Sequence, residues 1–311
     1  MITKSAENKT NFALNLIFTD SARSAWGHIL AGFAAIEQPK VLLPSYIGFT
    51  EREGSGVFDP IVETTADYQF YKVDDSLRID LDEFAHLLSS GGLNIALVIH
   101  YFGLCRNDMK EVKKLCIEHN VLLVEDCAHA FHLEVVQQKI GNYGDYSFYS
   151  LHKHLATESG GVLKINSNVI DLPPLQDKNQ ISQAVLGQYA KTQFGDIANA
   201  RRNNFLSYKK FLPVIKNVEI MFDLIEEDIP QSFPIRVSNG LREKLYFYLI
   251  GHSIPVTALY YRLIDKLEKK QFPISFAISD EILNFPVHQD VTLEDIRIIC
   301  SHVANFFNEM D

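Results

Sequence analysis

At 311 residues the chain outgrows a single hydrophobic core, and the sequence divides into a larger unit over residues 1–205 and a smaller one over 206–311. With 47% hydrophobic and 22% charged residues it reads as globular throughout, while a net charge of -10 excludes a broad phosphate-backbone footprint, so nucleic acid is not expected as a partner. No apolar run is long enough to cross a bilayer, the first eleven residues show no secretion signal, and Cys105, Cys116, Cys127 and Cys300 form no C-x-x-C pair. A cytoplasmic protein with no membrane partner is the expectation.

In chain order, Asp20-Ser21-Ala22-Arg23 places small residues and a hydroxyl at the opening of a helix over 24–33, an end whose free amides can hold an anion. A strand over 41–44 stops at Pro44. The apolar run 95–101 reads as a buried strand, followed by Gly103 and a helix over 108–119 with Val112, Leu115 and Cys116 on one face. Residues 121–124 form a third strand that runs into the acidic pair Glu125 and Asp126. A polar loop with Gly141 and Gly144 leads to a strand over 146–150, and a second loop ending at Gly160 and Gly161 leads to one over 162–165.

Strands alternating with helices predict an α/β fold, a mostly parallel central sheet flanked by helices. From 180 to 212 the chain turns helical, a spine between the two units, with Arg201 and Arg202 read as a solvated face. The remainder is expected to be a smaller C-terminal α+β domain, with a strand over 233–237 and helices over 241–251, 258–267 and 293–310.

Open parallel sheets bind ligands just beyond the carboxyl ends of their strands. Asp126 and Lys153 both stand at such ends, 27 residues apart, and together offer an acid and an amine to one crevice. Pyridoxal chemistry needs this pair: an amine to form an imine, and an acid to keep the pyridine nitrogen protonated. Ser150 adds a hydroxyl three residues before Lys153, and His152 and His154 flank the amine. His129 and His132 have a spacing seen in metal sites, but no further ligand stands at a fitting distance and no metal is expected.

Taken together the segments resemble the DegT/DnrJ/StrS family of sugar aminotransferases that depend on pyridoxal 5'-phosphate (PLP). VLLVEDCAHAF (121–131) looks like the family's E-D-x-A-[HQ]-A strand end, and GDYSFYSLHKHLATESGG (144–161) its serine, lysine and terminal G-G block. SARSAW (21–26), VLLPSY (41–46), IHYFG (99–103), RRNNFLSY (201–208) and NFPVH (284–288) resemble further family segments in the right order. No counterpart of the N-x-R-M segment is found between Ile165 and Arg201.

The resemblance implies the fold-type-I PLP-transferase architecture. It implies Lys153 as the Schiff-base lysine, Asp126 on the pyridine nitrogen, His129 against the cofactor, and Ser21, Ala22, Arg23 and Ser150 around its phosphate, with Tyr46 or Phe49 stacked on the ring. It also implies an amino donor such as glutamate or glutamine, a keto sugar as acceptor, nucleotide-linked, and a homodimer with shared active sites. The alternatives are a sugar dehydratase of the same family, which carries His in place of the lysine, and a non-catalytic binding or regulatory protein on the same scaffold.

Overall fold

The computed structural model describes residues 15–130 and 140–309. Its first part runs β1 (Leu16–Thr19), α1 (Ala22–Ala34), β2 (Lys40–Pro44), α2 (Phe58–Glu63), β3 (Asp67–Tyr71), α3 (Leu81–Ser89), β4 (Ile95–Ile99), α4 (Met109–Glu118), β5 (Leu122–Cys127), β6 (Tyr146–Ser150) and β7 (Gly161–Ile165). These strands form one seven-stranded sheet in the order β1-β7-β6-β5-β4-β2-β3. Neighbours from β3 through β6 pair in parallel, and β7 is antiparallel to both β6 and β1. The expected mostly parallel sheet is present, and its middle explains itself: every residue of β4 and β5 is buried, as a strand covered by helices on both faces must be.

The second part contributes α5 (Gln183–Lys191), α6 (Phe194–Phe211), β8 (Val218–Ile220), β9 (Ser232–Val237), α7 (Arg242–Gly251), α8 (Pro273–Glu281), β10 (Ile282–Pro286) and α9 (Leu293–Asn308). A three-stranded antiparallel sheet, β10-β9-β8, carries its own core of Phe205, Tyr208, Phe233, Phe285 and Val303. The Tyr208 ring stacks on both Phe233, at 4.9 Å between centroids, and Phe285, at 5.6 Å. This joins α6 to the small sheet. In the larger part Trp26 is fully buried, stacks 5.9 Å from Phe148 and donates its indole N–H to the Val57 carbonyl at 3.0 Å. It thereby pins α1 across the sheet.

Two expectations are corrected. The helix over 258–267 does not form, although Leu259, Leu263 and Leu267 recur at helical spacing. Its backbone bonds go across the chain instead: Ile264 N–H donates to Ile47 C=O at 3.0 Å, and Phe49 N–H to Arg262 C=O at 2.9 Å. The helical run 180–212 is two helices, because Thr192 turns extended between α5 and α6. Elements β1, α2, β3, α3, β8, α8 and β10 add to those the sequence predicts. Among the described residues no helix is long and apolar enough to cross a membrane, and the four cysteines are free thiols.

Candidate active site

A cavity of about 1240 Å³ opens at the carboxyl ends of the large sheet, walled on the other side by α7 and the 256–261 segment. Of the expected site residues, Ser21, Ala22, Arg23, Phe49, Asp126, His129, Ser150 and Lys153 line it. Tyr46 does not. Its ring is fully buried, packed edge-on between Tyr101 at 5.4 Å and Tyr260 at 5.3 Å, with its hydroxyl donating to the Leu259 carbonyl. Between the two stacking candidates, Phe49 is the one that reaches the cavity.

The chain brings Asp126 and Lys153 to neighbouring strand ends by pairing β5 with β6. Asp126 is buried, and one of its carboxylate oxygens accepts the Ala128 N–H at 2.8 Å. Burial pushes the carboxyl up to about 6, against the opposing pull of that amide and of the Lys153 amine. Burial likewise pulls the Lys153 amine below the ordinary lysine value, with Asp126 and Glu53 opposing. No group among the described residues sits within hydrogen-bond or ion-pair distance of Lys153 Nζ. A half-buried amine without a partner, facing a buried acid, is poised to lose its proton and react.

His129 closes the floor. Its Nδ1 accepts the Phe102 N–H at 3.3 Å, so the ring is neutral and carries its proton on Nε2; burial, and then the Lys153 charge, hold it well below its usual range. The imidazole lies parallel to Phe102 at 6.3 Å and tilted against Tyr260 at 5.7 Å. His132, the other half of the metal-like spacing, lies outside the described residues. His100, Glu125 and Cys127 bring ligand-type atoms within 4.8 Å of one another, but Glu125 already accepts four N–H groups, from His100, Gly141, Tyr143 and Gly144. Its carboxylate anchors the loop before β6 and has no acceptor position left for an ion.

At the far end stands the N-terminus of α1. Ser21 Oγ caps it by accepting the Ser24 N–H at 3.1 Å, leaving the first-turn amides of Ala22 and Arg23 without an intrahelical acceptor. A Cβ on Gly161 would sit 2.3 Å from the Ser21 carbonyl carbon and 2.6 Å from Ala22 N, so only glycine allows β7 to run this close beneath the helix start. Ser150 Oγ faces the same end and shares a hydrogen bond with His152 Nδ1 at 3.2 Å. Arg23 is turned aside, paired with Asp59 at 3.3 Å and donating to the Glu53 carbonyl. The helix-end amides and two hydroxyls fit a phosphate, the buried acid fits a pyridinium nitrogen, and the unpartnered amine fits an aldehyde: the donor set suits PLP.

Sequence reasoning missed Tyr260, Glu53, Arg52, Arg242 and Tyr246, all of which line the cavity. Tyr260 had one signal, the glycine opposite it: a Cβ on Gly48 would overlap the Tyr260 ring at 2.0 Å. It also missed Arg201, which is buried instead of solvated and donates to the Lys153 carbonyl at 3.0 Å. Arg202 stays near the surface and donates to the Ile225 carbonyl at 2.8 Å.

Residues 52–171 match the profile of the DegT/DnrJ/EryC1/StrS aminotransferase family, whose members depend on PLP. GDP-perosamine synthase of Vibrio cholerae is 24% identical over 272 residues, which cover 75% of this chain and 72% of that protein. The dTDP-3-amino-3,6-dideoxy-alpha-D-galactopyranose transaminase of Aneurinibacillus thermoaerophilus is 23% identical over 241 residues, covering 68% of this chain and 64% of that protein. Among solved structures, Spr1654 from Streptococcus pneumoniae in its PLP form superposes with a TM-score of 0.78 at 14% identity, over 94% of this chain and 87% of that one. The fold is the fold-type-I architecture of these proteins.

Proposed function

We infer that this chain is a PLP-dependent aminotransferase of the DegT/DnrJ/EryC1/StrS family, and that it moves an amino group from glutamate or glutamine to a keto sugar, nucleotide-linked, in a cytoplasmic setting. The observation that carries the reading is the Lys153 amine, unpartnered among the described residues, beside the buried Asp126 carboxyl, both facing a cavity whose other end is the capped start of α1. The two curated relatives named above act on sugars, which supports the acceptor class.

When bound, PLP supplies an aldehyde that condenses with amines and a protonated ring that draws electrons from the substrate carbon. The chain's own residues do the rest. Asp126 would hold the proton on the pyridine nitrogen, and its burial would strengthen that charge-assisted bond. The Ala22 and Arg23 amides, with Ser21 and Ser150, would bind the phosphate and orient the cofactor toward Lys153. Lys153 would hold the cofactor's aldehyde carbon through its Nζ, and the same Nζ, when free, would be the base that takes the proton from the amino donor's α-carbon. His129 and Phe49 both line the cavity and would be the side chains that hold the ring. A homodimer completing each site from its neighbour goes with this reading.

The test is the absorbance spectrum of the purified chain loaded with PLP, before and after glutamate. A visible band that fades on adding glutamate, and returns on adding a keto sugar that becomes aminated, is the expected result. A spectrum indifferent to glutamate and glutamine would remove the aminotransferase reading.

A further inference from the structure

Arg201 is a buried cation whose hydrogen bonds all go to backbone carbonyl groups. It lies on α6 with 2% of its surface exposed. Burial lowers its guanidinium to about 10, with Asp290 the acid whose field opposes that, so it stays charged at neutral pH. Burying such a group without a carboxylate in contact is costly, and the position makes sense through what its bonds accomplish.

One arm donates to the Lys153 carbonyl at 3.0 Å. The other donates to the Gln231 carbonyl at 3.1 Å and reaches the Pro230 carbonyl at 3.4 Å. Gln231 in turn donates its N–H to the Phe102 carbonyl at 2.8 Å, and Phe102 donates its own N–H to His129 Nδ1. The strap at 102–103 has no slack: Phe102 and Gly103 both have left-handed φ, 56° and 81°. A Cβ on Gly103 would meet the His129 and Ile229 carbonyls at 2.6 and 2.8 Å. A single planar fork therefore ties the turn that carries Lys153 to the 230–231 segment, and the Gln231 N–H carries the link on to the strap against which His129 leans; Lys153 and His129 line one cavity.

We propose that Arg201 is a positioning residue, fixing the Lys153 turn relative to the His129 wall by hydrogen-bonding the Lys153 carbonyl and the 230–231 segment at once. Four rotatable bonds separate the lysine amine from its backbone, so the anchoring of that backbone sets where Nζ spends its time. A lysine at 201 offers one ammonium point and cannot span both segments with the same geometry. The role rests on the reading of Lys153 as the cofactor-bearing amine.

The test compares R201Q and R201K, with R202Q as a control for lost charge on α6. In the cofactor-free full chain, the rate at which acetic anhydride labels Lys153 is followed against pH by peptide mass spectrometry. In the PLP-loaded protein, the rate and half-saturation of the reaction with glutamate are read from absorbance. Loosening the tether lets the Lys153 turn relax toward water, so in R201Q the labelling midpoint rises by about half a pH unit or more. The glutamate reaction slows about ten-fold or more with half-saturation nearly unchanged, as loss of alignment demands. R201K recovers part of both, and R202Q changes neither.

Labelling curves and glutamate rates equal to wild type in R201Q, whatever its thermal stability, overturn the proposal. If R201Q does not fold, R201K decides by the same two readouts, where wild-type values overturn it. A wild-type protein that shows no visible band with PLP and no response to glutamate defeats the functional reading instead, while the labelling arm still decides the tether.

Discussion

Asp126 and Lys153 stand at the ends of neighbouring parallel strands, and burial displaces each from its usual charge state while the field of the other pulls it back. For Asp126 the folded value, about 6, lies above the unfolded one. Its contribution to stability is therefore present below the unfolded value and lost as pH rises through about 6. The strain at neutral pH amounts to at most about 3 kcal/mol, roughly two pH units at 1.36 kcal/mol each. D126N removes it. Melting curves of the cofactor-free protein should show D126N more stable than wild type near neutral pH, with a flatter acid limb, although its turnover falls by about a thousand-fold or more. Superimposable melting profiles would contradict the assigned burial of the charge.

Lys153 makes the complementary case. Its lowered folded value means that stability is lost as pH falls through it, so the amine too is a burden on the empty chain at neutral pH. K153A should leave the fold intact, abolish the visible PLP band and reduce turnover by about a thousand-fold or more. Retention of the band in K153A, measured by absorbance after dialysis, would show that another amine holds the cofactor.

Gly161 and Gly187 separate close approach from plain helix propensity. At Gly161 the added methyl collides with Ser21 and Ala22 backbone, whereas at Gly187, inside α5, nothing lies within 4 Å. G161A should lose about 2 kcal/mol or more and weaken PLP binding at least ten-fold, since backbone cannot yield as a side chain does. G187A should gain up to about 1 kcal/mol and leave the affinity alone. Denaturant midpoints and fluorescence titration with PLP check both; equal effects of the two substitutions would sink the cradle beneath α1.

The parallel core was legible in the sequence because strands buried on both faces leave uninterrupted apolar runs, as at 95–99, and because Asp126 and Lys153 follow such runs. The phosphate-facing helix start was legible for a similar local reason, a hydroxyl before a helical run. What escaped depends on pairing across the chain. The run 258–267 carries apolar residues at helical spacing, yet its backbone is bonded at Arg262 and Ile264 to Phe49 and Ile47, partners far away in sequence, so Tyr260 was lost from the site. Arg201 reads as a surface charge because nothing near it in sequence shows that carbonyls at 153, 230 and 231 will surround it. Tyr46 fits the pattern of a stacking residue, and its ring is turned aside by Tyr101 and Tyr260, neither of which its own neighbourhood reveals.

The pair one residue before Asp126 sets a different pH limit. His100 Nε2 donates to Glu125 Oε2 at 2.7 Å with both side chains fully buried. Burial alone would lower the imidazole, but Cys105 and Glu125 outweigh it and raise it to about 10. A base raised on folding stabilises fully below its unfolded value and loses that contribution as pH rises through about 10, so wild-type protein should weaken on the alkaline side from about pH 7 upward. E125Q leaves the imidazolium without its carboxylate and should cost about 3–5 kcal/mol. That is a fall in melting temperature of about 5–8 °C for a chain of this size. Because the His100 N–H donates to the Asp126 carbonyl at 3.0 Å, the same change disturbs the strand end that presents Asp126, and PLP affinity should fall with it. Melting temperatures of wild type and E125Q from about pH 6 to pH 10 decide the point: an E125Q protein as stable as wild type, with the same alkaline slope, would mean that the ion pair does not anchor this end of the sheet.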